Sequence, residues 1–122
     1  MVKALFDTNI LIDYLRGIPA AREELGRYRQ KAISLVSWME VLVGAGPATE
    51  RGTRQFLNGF ELIVIDHGIA ERAVELRRRH RVKLPDAIVW ASAQAHAMLL
   101  VTRDVREFPD QDPGIRVPYA VQ

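Results

Sequence analysis

Short, almost uninterrupted apolar runs recur along this chain, and stretches with helical spacing separate them. Two of these runs, LIVI at 62–65 and MLLV at 98–101, contain no polar residue. A strand with one face in water alternates apolar and polar side chains, so such runs indicate strands that are buried on both faces. Burial of both faces requires helices above and below the sheet. The pattern therefore predicts an α/β fold with a mainly parallel sheet of four to five strands.

Turn and capping residues set the expected bounds of these elements. Gly17 and Pro19 separate the first two helices, and Gly46 with Pro47 ends the helix that follows the second strand. Pro118 lacks a backbone donor, which favours an edge position for the last strand. The predicted strands are 2–6, 32–36, 61–65, 98–101 and 115–119. The predicted helices are 8–16, 20–29, 37–44, 49–58, 68–80 and 84–97.

The composition is that of an ordinary globular protein, and it excludes several kinds of site. The 122 residues are 48% hydrophobic and 26% charged, which is typical of one domain, here 1–122. Because the chain has no cysteine, it forms no disulfide, thiolate–zinc site or thiol nucleophile. No apolar run approaches the ~20 residues that span a membrane. Asp7 interrupts the first apolar run, so no signal peptide is visible, and we expect a cytoplasmic protein without membrane association.

Four carboxylates lie where the predicted strands end. Asp7 follows the first strand, Glu40 lies in the first turn of the helix after the second, and Asp104 follows the fourth. Asp86 opens the helix that leads into the fourth strand, and a helix antiparallel to that strand begins at the same edge of the sheet. Ligands of open parallel sheets bind at this edge. The topology therefore predicts that the four acids converge.

Each of these acids also has a purely local explanation. Asp7 can cap the first helix, and Glu40 can form a capping box, S-x-x-E, with Ser37. Asp86 suits the positive end of a helix dipole, and Asp104 suits a turn. For each acid taken alone, the sequence leaves this alternative open. Convergence of all four at one edge favours the functional interpretation.

A cluster of carboxylates needs a counter-charge. Two carboxylates ~5 Å apart repel by about 3 kcal/mol at an effective dielectric constant of ~20. Either their pKa values rise or a divalent cation binds. Since cysteine is absent and the three histidines show no ligand spacing, the oxygen ligands favour Mg²⁺ or Mn²⁺. Such ions activate water and neutralise charge during phosphodiester hydrolysis, so the cluster predicts a metal-dependent nuclease.

Two groups of basic residues are candidates for contact with a nucleic acid. Arg103 and Arg106 flank Asp104, where they can bind a substrate phosphate or simply balance the acids. The run RRRHRVK at 77–83 can contact an RNA backbone, or it can be a solvated helix end that the helix dipole favours. The net charge of +2 permits nucleic-acid binding without requiring it.

Four blocks of the sequence resemble the signature blocks of PIN-domain ribonucleases. They are FDTNILIDYL at 6–15, SWMEVLVG at 37–44, LPDAIVWASA at 84–93 and VTRDVREF at 101–108. The opening block and the length of the chain are most similar to the VapC toxins of bacterial toxin–antitoxin pairs. The resemblance implies a three-layer α/β/α PIN-like fold and Mg²⁺- or Mn²⁺-dependent cleavage of RNA. It also implies a homodimer that a small cognate antitoxin inhibits.

The resemblance assigns roles to individual residues as well. The implied catalytic quartet consists of Asp7, Glu40, Asp86 and Asp104. Its three aspartates are the expected metal ligands. Asn9 and Thr102 match positions that, in the family, assist the metal or hold the acids.

Three other functions remain open. A PIN nuclease of RNA processing would carry the same acids, although such enzymes usually have extra domains. A catalytically silent PIN fold could serve as a binding module, but the intact quartet argues against it. A phosphoreceiver module would use Asp66, but it needs paired acids after the first strand and a lysine after the last, and no lysine follows Lys83. Asp66 is better explained as the cap of the next helix.

Overall fold

A single sheet of parallel strands forms the centre of the molecule. The computed structural model describes residues 2–109 and 111–120. Its strands are β1 (Lys3–Phe6), β2 (Gln30–Ser34), β3 (Glu61–Ile63), β4 (Leu99–Val101) and β5 (Ile115–Arg116). They lie in the order β3-β2-β1-β4-β5, and every neighbouring pair is parallel. The carboxyl ends of the strands therefore share one edge, and the expected edge position of the last strand is confirmed.

Helices cover both faces of this sheet. They are α1 (Thr8–Leu15), α2 (Pro19–Gly26), α3 (Leu35–Val43), α4 (Glu50–Leu57), α5 (His67–His80) and α6 (Leu84–Ala95). Successive residues of β1 enter different hydrophobic clusters because strand side chains alternate between faces. Ala4 and Phe6 pack with α1, α2 and α4, whereas Leu5 packs with α5 and α6. This confirms the three-layer α/β/α arrangement.

The second strand ends two residues earlier than the sequence predicts, and α3 begins earlier too. The hydroxyl of Ser34 accepts a hydrogen bond from the amide of Val36 at 3.1 Å and caps α3. Ser37, the predicted cap, is instead fully buried inside this helix. A continuous apolar run does not distinguish the end of a buried strand from the start of a buried helix. The capping box proposed for Glu40 is therefore wrong, and Glu40 lies beyond the first turn of α3.

The third strand is shorter than predicted, and its apolar run is only partly buried. Ile63 is buried, but Leu62, Val64 and Ile65 are exposed. Ile63 lies opposite Ser34 in the register of β2 and β3. Since the neighbouring chain turns into α3 at that point, β3 has no strand partner beyond Ile63. Among the helices of the described residues, none is long and apolar enough to cross a membrane.

Candidate active site

Asp7 is both a helix cap and the most deeply buried acid of the predicted quartet. It directly follows β1, and its Oδ1 accepts a hydrogen bond from the amide of Thr8 at 2.8 Å, which caps α1. Its side chain is 4% exposed, and the hydroxyl of Thr102 donates to Oδ2 at 2.9 Å. Burial, together with the charges of Glu40 and Asp104, raises the pKa of Asp7 to about 6, although the two hydrogen bonds act to lower it. The capping role and the place in the cluster thus coexist.

Asp86 joins Asp7 at the same edge of the sheet. It lies in the first turn of α6, as the antiparallel course of this helix predicts. Burial, a hydrogen bond with Glu107 and the charge of Asp7 raise the pKa of Asp86 to about 7, and Asp104 contributes as well. Glu107 was not recognised from the sequence. Its Oε1 also accepts a hydrogen bond from the amide of Lys83 at 3.3 Å, just before α6 begins.

Asp104 sits in a tight turn after β4. Its amide donates to Oγ1 of Thr102 at 3.1 Å. Its Oδ1 accepts from the amides of Arg106 at 3.1 Å and Glu107 at 3.3 Å. The structure therefore contains the turn that the sequence predicts at Asp104, and this turn also brings Glu107 back towards the acids. An aspartate followed three residues later by a glutamate is the signal that could have identified Glu107.

Glu40 lies at the exposed rim of the cluster. The hydroxyl of Thr8 donates to its Oε1 at 2.6 Å and lies 2.9 Å from the hydroxyl of Ser37. These contacts join the start of α1 to α3 and keep Glu40 near enough to raise the pKa of Asp7. Neither Thr8 nor Ser37 was singled out as a site residue from the sequence, because both residue types suit helix starts.

Asn9 and Thr102 form hydrogen bonds that connect Asp7 to the segment around Asp104. Asn9 Nδ2 lies 3.4 Å from Asp7 Oδ2 and 3.3 Å from Thr102 Oγ1. Asn9 Oδ1 accepts from the amide of Arg103 at 3.4 Å. Thr102 is fully buried, and its hydroxyl contacts both Asp7 and the amide of Asp104. The structure thus places both predicted supporting residues in contact with the acids.

The two arginines beside Asp104 differ in their surroundings. Arg103 donates from Nε to Asp13 Oδ2 at 2.6 Å and from Nη2 to Asp13 Oδ1 at 3.2 Å. It therefore balances an acid outside the quartet. Both arginines line a cavity of about 560 Å³ that also borders Asp104 and Glu107, but Arg106 is the exposed one. This cavity gives a substrate room beside the acids, with Arg106 at its wall.

The donor set suits a hard divalent cation. Oxygen atoms line the cluster, and carboxylates raise one another's pKa where a bound cation would lower it. Within residues 2–109 and 111–120, however, no three His, Asp or Glu side chains are grouped closely enough to hold a metal ion. Mg²⁺ commonly takes one or two carboxylates and completes its shell with water and phosphate oxygens. The cluster fits that mode of binding.

Comparison with known sequences agrees with this geometry. Residues 4–112 match the family model of the PIN domain. Ribonuclease VapC10 of Mycobacterium tuberculosis is 34% identical over 125 residues, which cover 96% of this chain and 93% of that protein. Ribonuclease VapC19 of the same organism is 29% identical over 124 residues, which cover 94% and 98%.

Solved structures give the same result. A chain in a toxin–antitoxin complex from Klebsiella pneumoniae is 47% identical with a TM-score of 0.93, covering 98% of this chain and 100% of that one. A chain in the DNA-bound VapBC complex from Salmonella typhimurium is 25% identical with a TM-score of 0.76, covering 95% and 96%. The fold, the acids at the carboxyl edge and these similarities lead to one conclusion: the chain belongs to the PIN-domain family and, within it, to the VapC ribonucleases.

Proposed function

We propose that this chain is a cytoplasmic, metal-dependent endoribonuclease that acts as the toxin of a toxin–antitoxin pair, with 1–122 as its single domain. The observation that carries the proposal is the geometry at the carboxyl edge of the sheet: Asp7 is almost fully buried there, Thr102 contacts both Asp7 and the amide of Asp104, and Asp86 lies in the first turn of α6. The direction of the pKa shifts supports it, because burial and neighbouring carboxylates raise the pKa values of Asp7 and Asp86. Acids arranged in this way at the carboxyl edge of a parallel sheet are suited to a divalent cation and a phosphodiester.

Asp7, Asp86 and Asp104 would hold Mg²⁺ or Mn²⁺, one or two of them directly through carboxylate oxygens and the rest through water bound to the ion. When bound, such an ion supplies an activated water molecule and neutralises charge that develops on the phosphate. Glu40 keeps a carboxylate at the exposed rim, oriented by Thr8, where it can accept a proton from the attacking water. Asn9 and Thr102 are assigned to the orientation of Asp7, and Glu107 to that of Asp86.

Basic side chains surround the approach to these acids. Arg106 and Lys83 line the cavity beside Asp104, and we assign them to contacts with the RNA backbone. Within the run at 77–83, Arg77 donates to the carbonyl of Val82 at 2.7 Å, so it also has a structural role. Arg78 and Arg81 are exposed and extend the positive surface. Binding through such residues weakens as salt concentration rises.

The proposed antitoxin would bind an apolar groove of about 520 Å³ between α1, α3 and α4. Ile12, Leu15 and Val41 are among the residues that line it. Val41 directly follows Glu40, so a basic side chain of a bound segment would lie close to the acids. The related Klebsiella pneumoniae chain comes from a toxin–antitoxin complex, which supports an antitoxin as a partner of this chain. We also propose that the free toxin is a homodimer, as the resemblance to the VapC toxins implies.

Cleavage of a single-stranded RNA by the purified protein tests the enzymatic part. We expect cleavage with Mg²⁺ or Mn²⁺ and none in EDTA. Asp7→Asn and Asp104→Asn should each lower the rate at least ~100-fold, or roughly 2.7 kcal/mol of barrier. Asp66→Asn is the matched control, because Asp66 caps α5 and asparagine caps equally well. Full activity of either site variant would remove that residue from the proposed machinery.

Expression in bacteria separates a toxin from a processing enzyme. The wild-type chain alone should arrest growth, the Asp7→Asn variant should not, and co-expression of the antitoxin should restore growth. Harmless expression of a folded protein that cleaves RNA would instead favour a PIN nuclease of RNA processing.

A further inference from the structure

An acid within α1, Asp13, is buried behind the proposed active site. Its side chain is 3% exposed. It accepts two hydrogen bonds from the guanidinium of Arg103, at 2.6 Å and 3.2 Å, and one from the hydroxyl of Tyr119 at 2.8 Å. Tyr119 follows β5, so three distant parts of the chain meet at one carboxylate. A buried acid with an arginine fork and a phenol has its charge balanced and its oxygens satisfied.

Arg103 is attached to α1 at two points. Asn9 and Asp13 are four residues apart and therefore lie on the same face of the helix. Asn9 accepts from the amide of Arg103, and Asp13 accepts from its guanidinium. The residues on either side of Arg103 are Thr102, which contacts Asp7, and Asp104 itself. The contacts with Asn9 and Asp13 therefore constrain the backbone of Arg103, which lies between the site residues Thr102 and Asp104.

These contacts with Arg103 matter because Asp104 belongs to no strand or helix. Residues 102–109 follow β4 without regular secondary structure. The position of the Asp104 carboxylate relative to Asp7 depends on the few contacts that fix this segment. Of these contacts, the pair of Arg103 with Asp13 is the only salt bridge in which a side chain of residues 102–104 takes part, as far as the described residues go. Loss of its geometry should let the segment shift.

We propose that Asp13 and Tyr119 are positioning residues, which hold Arg103 and thereby fix Asp104 against Asp7. The inference rests on the proposed function, since it assigns to these residues the geometry of the same acidic site. It also separates Arg103 from substrate binding. An arginine that contacts RNA would affect substrate affinity, whereas an arginine that orients Asp104 affects metal binding and turnover.

The molecule contains a matched control for this arrangement. Glu24 of α2 is 2% exposed and accepts from Arg116 at 2.6 Å and 3.0 Å, and from the hydroxyl of Tyr28 at 2.8 Å. The chemistry is the same as at Asp13: one buried acid, one arginine fork and one phenol. Arg116, however, lies on β5 and is not adjacent in sequence to any acid of the quartet.

The experiment compares Arg103→Lys and Tyr119→Phe with Arg116→Lys and Tyr28→Phe in the full-length chain. Three quantities are measured: the melting temperature, Mn²⁺ binding without RNA by electron paramagnetic resonance, and kcat and KM for RNA cleavage. We expect both pairs to lower the melting temperature similarly. Only Arg103→Lys and Tyr119→Phe should weaken Mn²⁺ binding and lower kcat, by about tenfold for Arg103→Lys, with KM nearly unchanged.

Two results would overturn the positioning role. If all four variants changed Mn²⁺ binding and kcat equally, the Asp13 group would be only a general stabiliser. If Arg103→Lys raised KM while Mn²⁺ binding stayed the same, Arg103 would be a substrate contact. A wild-type chain that binds Mn²⁺ but cleaves no RNA would contradict the proposed function, and the Mn²⁺ comparison would still decide the positioning role.

Discussion

The acids at the carboxyl edge of the sheet and the buried acids of α1 and α2, Asp13 and Glu24, differ in the charge of the side chains around them. Around Asp7, burial and neighbouring carboxylates raise the pKa to about 6. Around Glu24, burial also acts to raise the pKa, but hydrogen bonds from Arg116 and Tyr28 outweigh it and leave the pKa below its usual value. Both side chains are almost fully buried. Burial alone therefore does not distinguish a structural acid from a functional one.

This difference identifies where the fold leaves charge uncompensated. A buried acid that serves only stability needs a cationic partner, because an unpaired buried charge costs several kcal/mol. Glu24 and Asp13 each have an arginine in fork geometry. At Asp7 and Asp86 the neighbouring charges are those of other acids. Among the described residues, no cationic side chain is a main influence on the pKa of either acid. A site that binds a metal ion needs acids whose charge is left unbalanced in this way.

Removal of the cation from a compensated acid should have the largest effect on stability. Arg116→Ala leaves Glu24 buried without its fork, and we expect the free energy of unfolding to fall by about 3 kcal/mol. This is the low end for a buried pair, because the Arg116 side chain is 35% exposed. Urea denaturation measures the change. Arg27→Ala is the control, since Arg27 is mostly exposed and 3.7 Å from Glu24, and it should cost less than about 1 kcal/mol. Equal losses of unfolding free energy in the two variants would show that the fork of Arg116 does not specifically stabilise Glu24.

The uncompensated acids should make metal binding depend on pH. A metal ion must displace protons from Asp7 and Asp86, whose pKa values are raised to about 6 and about 7. Mn²⁺ affinity should therefore increase as pH rises through this range, by up to about tenfold per pH unit for each displaced proton. Titration of the binding constant measures it, and Asp7→Asn should flatten the profile. A wild-type affinity that does not change with pH would contradict the prediction.

Without metal, a rise in pH has the opposite effect on stability to the one it has on Mn²⁺ affinity. Both pKa values are higher in the folded protein than in the unfolded chain, so the folded state binds protons more strongly. Their contribution is full below the ordinary carboxyl pKa of about 4 and is lost as pH rises through 6 to 7. Glu24 behaves in the reverse way, because its lowered pKa gives stability that is lost as pH falls.

The smallest expected effect is relief of repulsion at Asp86. In EDTA, Asp86→Asn should raise the melting temperature by a few degrees, which corresponds to about 1 kcal/mol for a domain of this size. Mg²⁺ should then stabilise the wild type more than the variant. Glu50→Gln is the control, because Glu50 is also an acid in a first helical turn but pairs with Arg54, and it should lower stability slightly. An Asp86→Asn variant less stable than the wild type in EDTA would make Asp86 a simple helix-end residue.

Much of the fold could be predicted because its signals are local. Apolar runs and helix breakers located the strands and helices to within a few residues. The error at β2 and α3 arose where an apolar run passes from strand to helix without a polar residue, and Ser34, not Ser37, begins the helix. The error at β3 arose because the length of an edge strand depends on its partner. Neither fact is encoded in periodicity.

The positions of the acids were predictable for a related reason, since each lies in the segment that follows a strand or, for Asp86, in the first turn of a helix. Their supporting contacts were not. Asp13 and Arg103 are 90 residues apart, and Glu24 and Arg116 are 92 apart. Pairs at such separations depend on how whole layers pack. Sequence reasoning allowed that Arg103 could balance an acid, but it could not identify Asp13 as that acid.

The central position of β1 sets when activity can arise during synthesis. Residues 3–6 are made long before β4, yet they pair with it, and Leu99 of β4 lies opposite Ala4. Thr102, which orients Asp7, and Asp104 are made about as late. Since long-range parallel pairing must wait for both partners, the acids of a growing chain stay apart until these residues have left the ribosome. A nuclease built in this order completes its acidic site only after its fourth strand and the segment that follows have been made.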